Sequence, residues 1–197
     1  MIIFKEAITI FALSLFFSVS TFAAQQLYLI SNDDIGLLVE TSEWNCKTNA
    51  SCIDGKAISL PVSFRFTNIG YRTLSIHYIQ DYFLTHAKNT TSLISNLEIK
   101  QINKSAVKPT DFLYEAKCSF FDNSSSGYLV VYFFKNHDMF IKFQGDLLEE
   151  VTRNNICQKI TSLITPLLKT KSMKCYIANE NNQLFILNDD FSISEED

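Results

Sequence analysis

The chain has 197 residues, 47% of them hydrophobic, with 17 Phe and 8 Tyr and a formal net charge of −4. That is enough apolar material for one domain with a core that does not depend on disulfides. No Lys/Arg stripe marks a nucleic-acid surface. Only five Gly and three Pro occur, which argues against a sandwich built wholly from tight turns and for some helix.

Residues 1–23, "MIIFKEAITIFALSLFFSVSTFA", place Lys5 ahead of an uncharged stretch from Ala7 to Phe22 and end in small residues. This is the layout of a cleavable secretory signal peptide, with cleavage expected after Ala23. The apolar run is short for a membrane-spanning helix, which needs about 20 residues. The remainder reads as a single soluble α+β domain over residues 24–188. An acidic tail follows over residues 189–197, with Asp189, Asp190, Glu195, Glu196 and Asp197, and is expected to fray. No cysteine follows the small residues to take a lipid, and the C-terminus carries neither a retention signal nor an anchor. The expected location is the periplasm or the extracellular space, with no stable membrane anchor after cleavage.

In chain order, "QLYLIS" and "GLLVE" read as short strands around the turn-prone "NDD". In "ISLPVSFRFTN", Ile58, Leu60, Val62, Phe64 and Phe66 alternate with Ser59, Ser63, Arg65 and Thr67, which is the pattern of a half-buried strand. Pro61 favours the strand's beginning or an edge. "YRTLSIHYIQDYF" reads as a further strand, with Leu74, Ile76 and Tyr78 on one face. A helix is expected over Ser92 to Ile102 within a polar stretch. Residues 112–145 then form an antiparallel meander. "YEAKCSFF" turns Tyr114, Ala116, Cys118 and Phe120 inward, "YLVVYFF" is apolar on both faces, and "MFIKFQG" is the third strand. Residues 146–168 read as an amphipathic helix packed on that sheet. Asp146 is its expected N-cap, with Glu149 three residues on, and Ile156, Ile160, Leu163, Ile164 and Leu167 form its stripe. "NQLFILND" is a final strand. The fold class is α+β: an antiparallel sheet with a C-terminal amphipathic helix on it.

Five cysteines are present, and in an exported chain they are expected to pair. Cys46 and Cys52 flank five small or polar residues, "KTNAS", and read as a disulfide staple. Metal ligation and free thiols are the alternatives weighed against it. Zinc pairs commonly enclose two to four residues, and a thioredoxin-like centre needs Cys-x-x-Cys. A second disulfide is expected among Cys118, Cys157 and Cys175, with Cys157 and Cys118 one candidate pair; the sequence leaves the connectivity open.

His77, His86 and His137 lack the i, i+4 spacing of a helical metal site, and no metal ligand, cofactor site or catalytic residue is assigned. Glu149 and Glu150 are adjacent and diverge by about 100° on a helix, so they complement its dipole instead of facing each other. No nucleophile elbow, phosphate loop or calcium loop occurs. Asn49, Asn89, Asn103 and Asn123 begin sequons, which are acceptors in a eukaryotic secretory route. The expectation is an exported, non-enzymatic binding protein, inhibitor- or immunity-like in one form, using its sheet or an aromatic-lined groove to hold a protein or small-molecule partner. The alternative is a small secreted hydrolase whose catalytic groups meet only in the fold.

Overall fold

The computed structural model describes residues 24–30, 35–90, 93–108, 110–121, 125–145, 148–169, 175–178, 184–187 and 193–195. The expected leader, Asp146 and most of the acidic tail lie outside these. The strands are β1 (Gln25–Leu29), β2 (Ile35–Glu40), β3 (Trp44–Thr48), β4 (Cys52–Ala57), β5 (Val62–Asn68), β6 (Leu93–Gln101) and β7 (Phe112–Phe121). They continue as β8 (Ser126–Phe134), β9 (His137–Gln144), β10 (Ile164–Lys169), β11 (Cys175–Ala178), β12 (Leu184–Leu187) and β13 (Ile193–Glu195). The helices are α1 (Ile76–Thr90) and α2 (Glu150–Ser162).

All strand pairings are antiparallel, so the class is α+β with antiparallel sheets. One sheet runs β1-β2-β10-β11-β12-β13 and the other β3-β4-β5-β9-β8-β7-β6. The meander over residues 112–145 is β7, β8 and β9, inside the seven-stranded sheet. Its middle strand is covered on both sides, as the apolar run requires. Val130, Tyr132 and Phe134 enter a core with β2, β4, β5 and α2, while Val131 and Phe133 enter a second core under α1.

Three segments differ from the sequence reading. Residues 76–90 are helix, not strand. Ser75 caps α1, its Oγ accepting from Tyr78 N–H at 3.1 Å, and Ile79 and Phe83 are buried at i, i+4 spacing. The alternation that suggested a strand rested on Ile76 and Tyr78, which are 45% and 37% exposed. Residues 93–101 are strand, not helix. A register shift between Ser95 and Glu98, with Asn96 at φ 54°, is a bulge that lets Ile94, Leu97 and Ile99 all pack toward the α1 core. The three-residue spacing of Ile94 and Leu97 therefore mimicked a helix.

The third difference is the C-terminal helix, which spans residues 150–162 only. Its N-cap is Glu149, without a side-chain capping bond, and its buried residues are Cys157 and Ile160. Pro166 explains the early stop, because the helix cannot continue through the residues before a proline. Ile164 and Pro166 instead pair with Leu37 and Ile35 of β2. β5 begins at Val62, just after Pro61, so the strand is shorter than the alternation from Ile58 suggests, and Ile58 and Leu60 fall before it and are exposed.

Candidate functional site

The face of the seven-stranded sheet under α1 is only half covered. Ile79 and Phe83 pack on Ala116, Cys118, Val131 and Phe133, which belong to β7 and β8. Among the described residues, the β3, β4, β5 and β9 part of the same face is left open, and a groove of about 760 Å³ lies there beside the helix. That size falls within the ordinary range for small-molecule sites, about 300–1,000 Å³.

Period-2 alternation decides what the groove presents. On β5, Phe64 and Phe66 point into the inter-sheet core, so Ser63, Arg65 and Thr67 face the groove. The register then places Lys56 of β4 and Lys142 of β9 directly across from Ser63, on its two sides. Lys47 of β3 stands across from Asp54, and Asp54 across from Arg65. Four cations and a single carboxylate therefore line the groove. Arg65 holds that carboxylate with both arms, Nε to Oδ1 at 2.6 Å and Nη2 to Oδ2 at 3.1 Å. Hydrogen bonding to Asp54 raises the arginine pKa further above its usual value, against the effect of burial. Among the described residues, Lys47 and Lys56 form no ion pair.

Toward α1 the lining becomes apolar and aromatic: Leu129, Phe140, Phe120, Ile94 and Tyr82. The Lys142 ammonium lies 4.3 Å from the centroid of the Phe120 ring, a cation–π contact where the two halves meet. Burial pushes the Tyr82 phenol up to about 12, aided by Asp138 and Tyr78 and opposed by Arg72 and Arg65, so it stays neutral. The Thr67 hydroxyl is out of contact with solvent and has no hydrogen-bond partner among the described residues.

The helix wall is anchored by Arg72, just ahead of α1. Its guanidinium meets Asp138 of β9 with both arms, one of them Nη1 to Oδ2 at 2.8 Å, and lies over the rings of Tyr78 and Phe133. Asp138 is completely buried. Burial raises its carboxyl above the ordinary carboxylate value, while Arg72 and His137 pull it down.

The cysteines are not brought together. Cys46 and Cys52 are both free thiols. Cys46 pairs with Gly55 across the β3–β4 hairpin, so Cys52 sits three residues further along, roughly 10 Å at the strand rise. The two also face opposite ways. Cys46 packs with Tyr28 against the inter-sheet core, whereas Cys52 shares the face of Asp54, with Sγ 3.9 Å from Oδ2. A disulfide needs Cα atoms within about 7 Å and converging side chains, so the staple does not form in this register. Cys118 and Cys157 are free and lie in the two different cores, with the sheet between them. Burial pushes the thiols of Cys46 and Cys118 up to about 11 and that of Cys157 up to about 12, which holds them in the unreactive form. Cys175 is in β11, and its side chain lies outside the described residues.

His77 is exposed on α1, and His137 is buried and stacked on Phe66 with ring centroids 5.0 Å apart. His86 is in α1, with its side chain outside the described residues. Among the described residues, no cluster of three His, Cys, Asp or Glu is placed to hold a metal.

Comparison with known proteins adds no family. No protein-family model matches the chain, and no curated protein matches it. Among solved structures, the chain is similar to the solution structure of cyanobacterial PsbP (CyanoP) from Synechocystis sp. PCC 6803. The identity is 8% and the TM-score 0.45, over 73% of this chain and 93% of that one. A likeness of this degree transfers neither a fold family nor a function.

The sequence reading had already placed Ser63, Arg65 and Thr67 together on the polar face of a strand. It missed Lys47, Asp54 and Lys56, because pairing of β3, β4 and β5 is what makes them neighbours. Tyr82 was missed because its segment read as a strand.

Proposed function

We propose that the chain is an exported, non-enzymatic binding protein and that the groove beside α1 is where it holds its ligand or partner. The observation that carries this reading is the half-covered sheet face, a concave surface charged over β3, β4 and β5 and apolar toward α1. Export rests on the leader-like composition of residues 1–23. Cleavage after Ala23 would spare the described hydrogen bonding, since Ala24 O accepts from Thr41 N–H and Oγ1–H, both at 2.9 Å. An inhibitor- or immunity-like role is one form of this reading, with a protein as the partner.

The test is native mass spectrometry of the chain recovered from its own compartment, beside a Ser63→Trp variant that fills the groove between Lys56 and Lys142. Recovery of a molecule by the wild type and its loss in a folded Ser63→Trp variant is the expected result. Retention by both would remove the groove from the function. Turnover of ester, peptide or glycoside substrates by the purified protein would replace this reading with the hydrolase.

A further inference from the structure

We infer that the groove selects an anionic amphiphile, a carboxylate, sulfate or sulfonate on an aliphatic or flat aromatic body, with its anionic end over Ser63 and its apolar body directed toward α1. This rests on the groove being the binding site, and it adds the chemical class of the ligand.

The charge distribution supports the anionic end. The chain as a whole carries a net charge of −4, yet this surface gathers Lys47, Lys56, Arg65 and Lys142 against Asp54 alone. Asp54 is already engaged by Arg65, so the charge of Lys47 and Lys56 is left without a protein counter-ion among the described residues. Ser63 sits at the centre of the arrangement. Lys56 stands across from it on β4, Lys142 across from it on β9, and Arg65 two residues along the same strand and face. A hydroxyl flanked by cations in a concave surface favours an anionic oxygen group.

The other end supports the apolar body. Leu129, Phe140 and Phe120 continue the same face toward Ile94 and Tyr82 without another charged side chain in the lining. The Tyr82 phenol stays neutral, and Lys142 lies across Phe120 at the junction, so a ligand has one polar end and one apolar end to match. A small inorganic anion would leave the aromatic half unused. A neutral hydrocarbon would leave Lys47 and Lys56 unmatched.

The experiment uses the full folded chain and 8-anilinonaphthalene-1-sulfonate fluorescence, with competition by dodecanoate and dodecylammonium below their micellar concentrations. One saturable site is expected, with dodecanoate displacing the probe at a concentration about tenfold or more lower than dodecylammonium. Lys56→Glu with Arg65→Glu should raise the probe Kd about tenfold or more, while Lys56→Arg keeps it near the wild-type value. Circular dichroism and thermal unfolding verify that each variant is folded. Equal displacement by the two detergents, or an unchanged Kd in the charge-reversed variant, overturns selection for an anion. Displacement by an acidic, Phe-containing peptide but not by dodecanoate overturns it in favour of a peptide partner. Ser63→Trp separates the two levels. If it abolishes recovery of the native ligand while charge reversal has no effect, the groove reading survives and the ligand class falls. If Ser63→Trp leaves probe binding and native recovery intact, both fall.

Discussion

At the scale of single residues, Arg72 and Asp138 are the most consequential pair. Asp138 is fully buried, and the Arg72 side chain is 8% exposed. Removing the arginine strands a carboxylate away from water. Arg72→Met should cost about 3–5 kcal/mol at pH 7, the range for breaking a buried pair from one side. The pH dependence gives the sign. Burial holds the Asp138 pKa above its ordinary 3.8, and losing Arg72 removes a group that pulls it down. A carboxyl with a raised folded pKa favours the folded state below its unfolded value, and that advantage is lost as pH rises through the folded value. The penalty of Arg72→Met should therefore shrink as pH falls from 7 toward 4, where the carboxyl protonates. Among the described residues, Arg72 and His137 are the charged or titratable groups that act on the carboxyl, and the Tyr82 phenol is close enough to feel it. Urea unfolding of wild type and variant at both pH values measures this; a penalty independent of pH would show that Asp138 is not the group left exposed to the change.

At the scale of elements, α1 is fixed by a cap at one end and two core side chains along its length. Ser75→Ala removes the oxygen that accepts from Tyr78 N–H and should cost about 1 kcal/mol. Phe83→Ala opens a cavity beneath the helix against Phe133 and should cost about 3–5 kcal/mol. Both changes act on the wall that carries Tyr82 into the groove. Phe83→Ala should therefore also weaken binding of the sulfonate probe, whereas Ser75→Ala should lower stability with little effect on the probe. Chemical denaturation paired with probe titration separates the two outcomes. The misreading of this segment as strand has a local cause. Leu74, Ile76 and Tyr78 alternate, but Ile79, Tyr82 and Phe83 have helical spacing, and the sheet buries Ile79 and Phe83 while Ile76 and Tyr78 stay exposed.

At the scale of the whole molecule, the seven-stranded sheet separates two cores, and it also separates the thiols. Alkylation of the unfolded protein without reductant, followed by peptide mapping, should find Cys46, Cys52, Cys118 and Cys157 all modified. Alkylation of the folded protein at pH 8 should leave Cys118 and Cys157 largely unmodified, since burial holds both thiols protonated. A Cys46–Cys52 bridge in the unreduced peptide map would mean that the β3–β4 register differs from the one in which Cys46 meets Gly55. The closure of the first sheet is also a whole-molecule feature. β2 pairs with β10 across more than a hundred residues, a contact that must wait for the chain between them to fold.

The sequence by itself determined the α+β class, the meander over residues 112–145, and the alternation of β5 with its polar face carrying Ser63, Arg65 and Thr67. Each of these is written in a period of two or in a run bounded by turn residues, and such signals are local. Tertiary structure alone decided that Ile94 and Leu97 share a strand face through a bulge, that the segment after α2 pairs with β2, and that Cys46 and Cys52 point apart. It also decided that Lys56 and Lys142 flank Ser63. Register and the choice of which face is covered depend on partners far along the chain, and no local pattern records them.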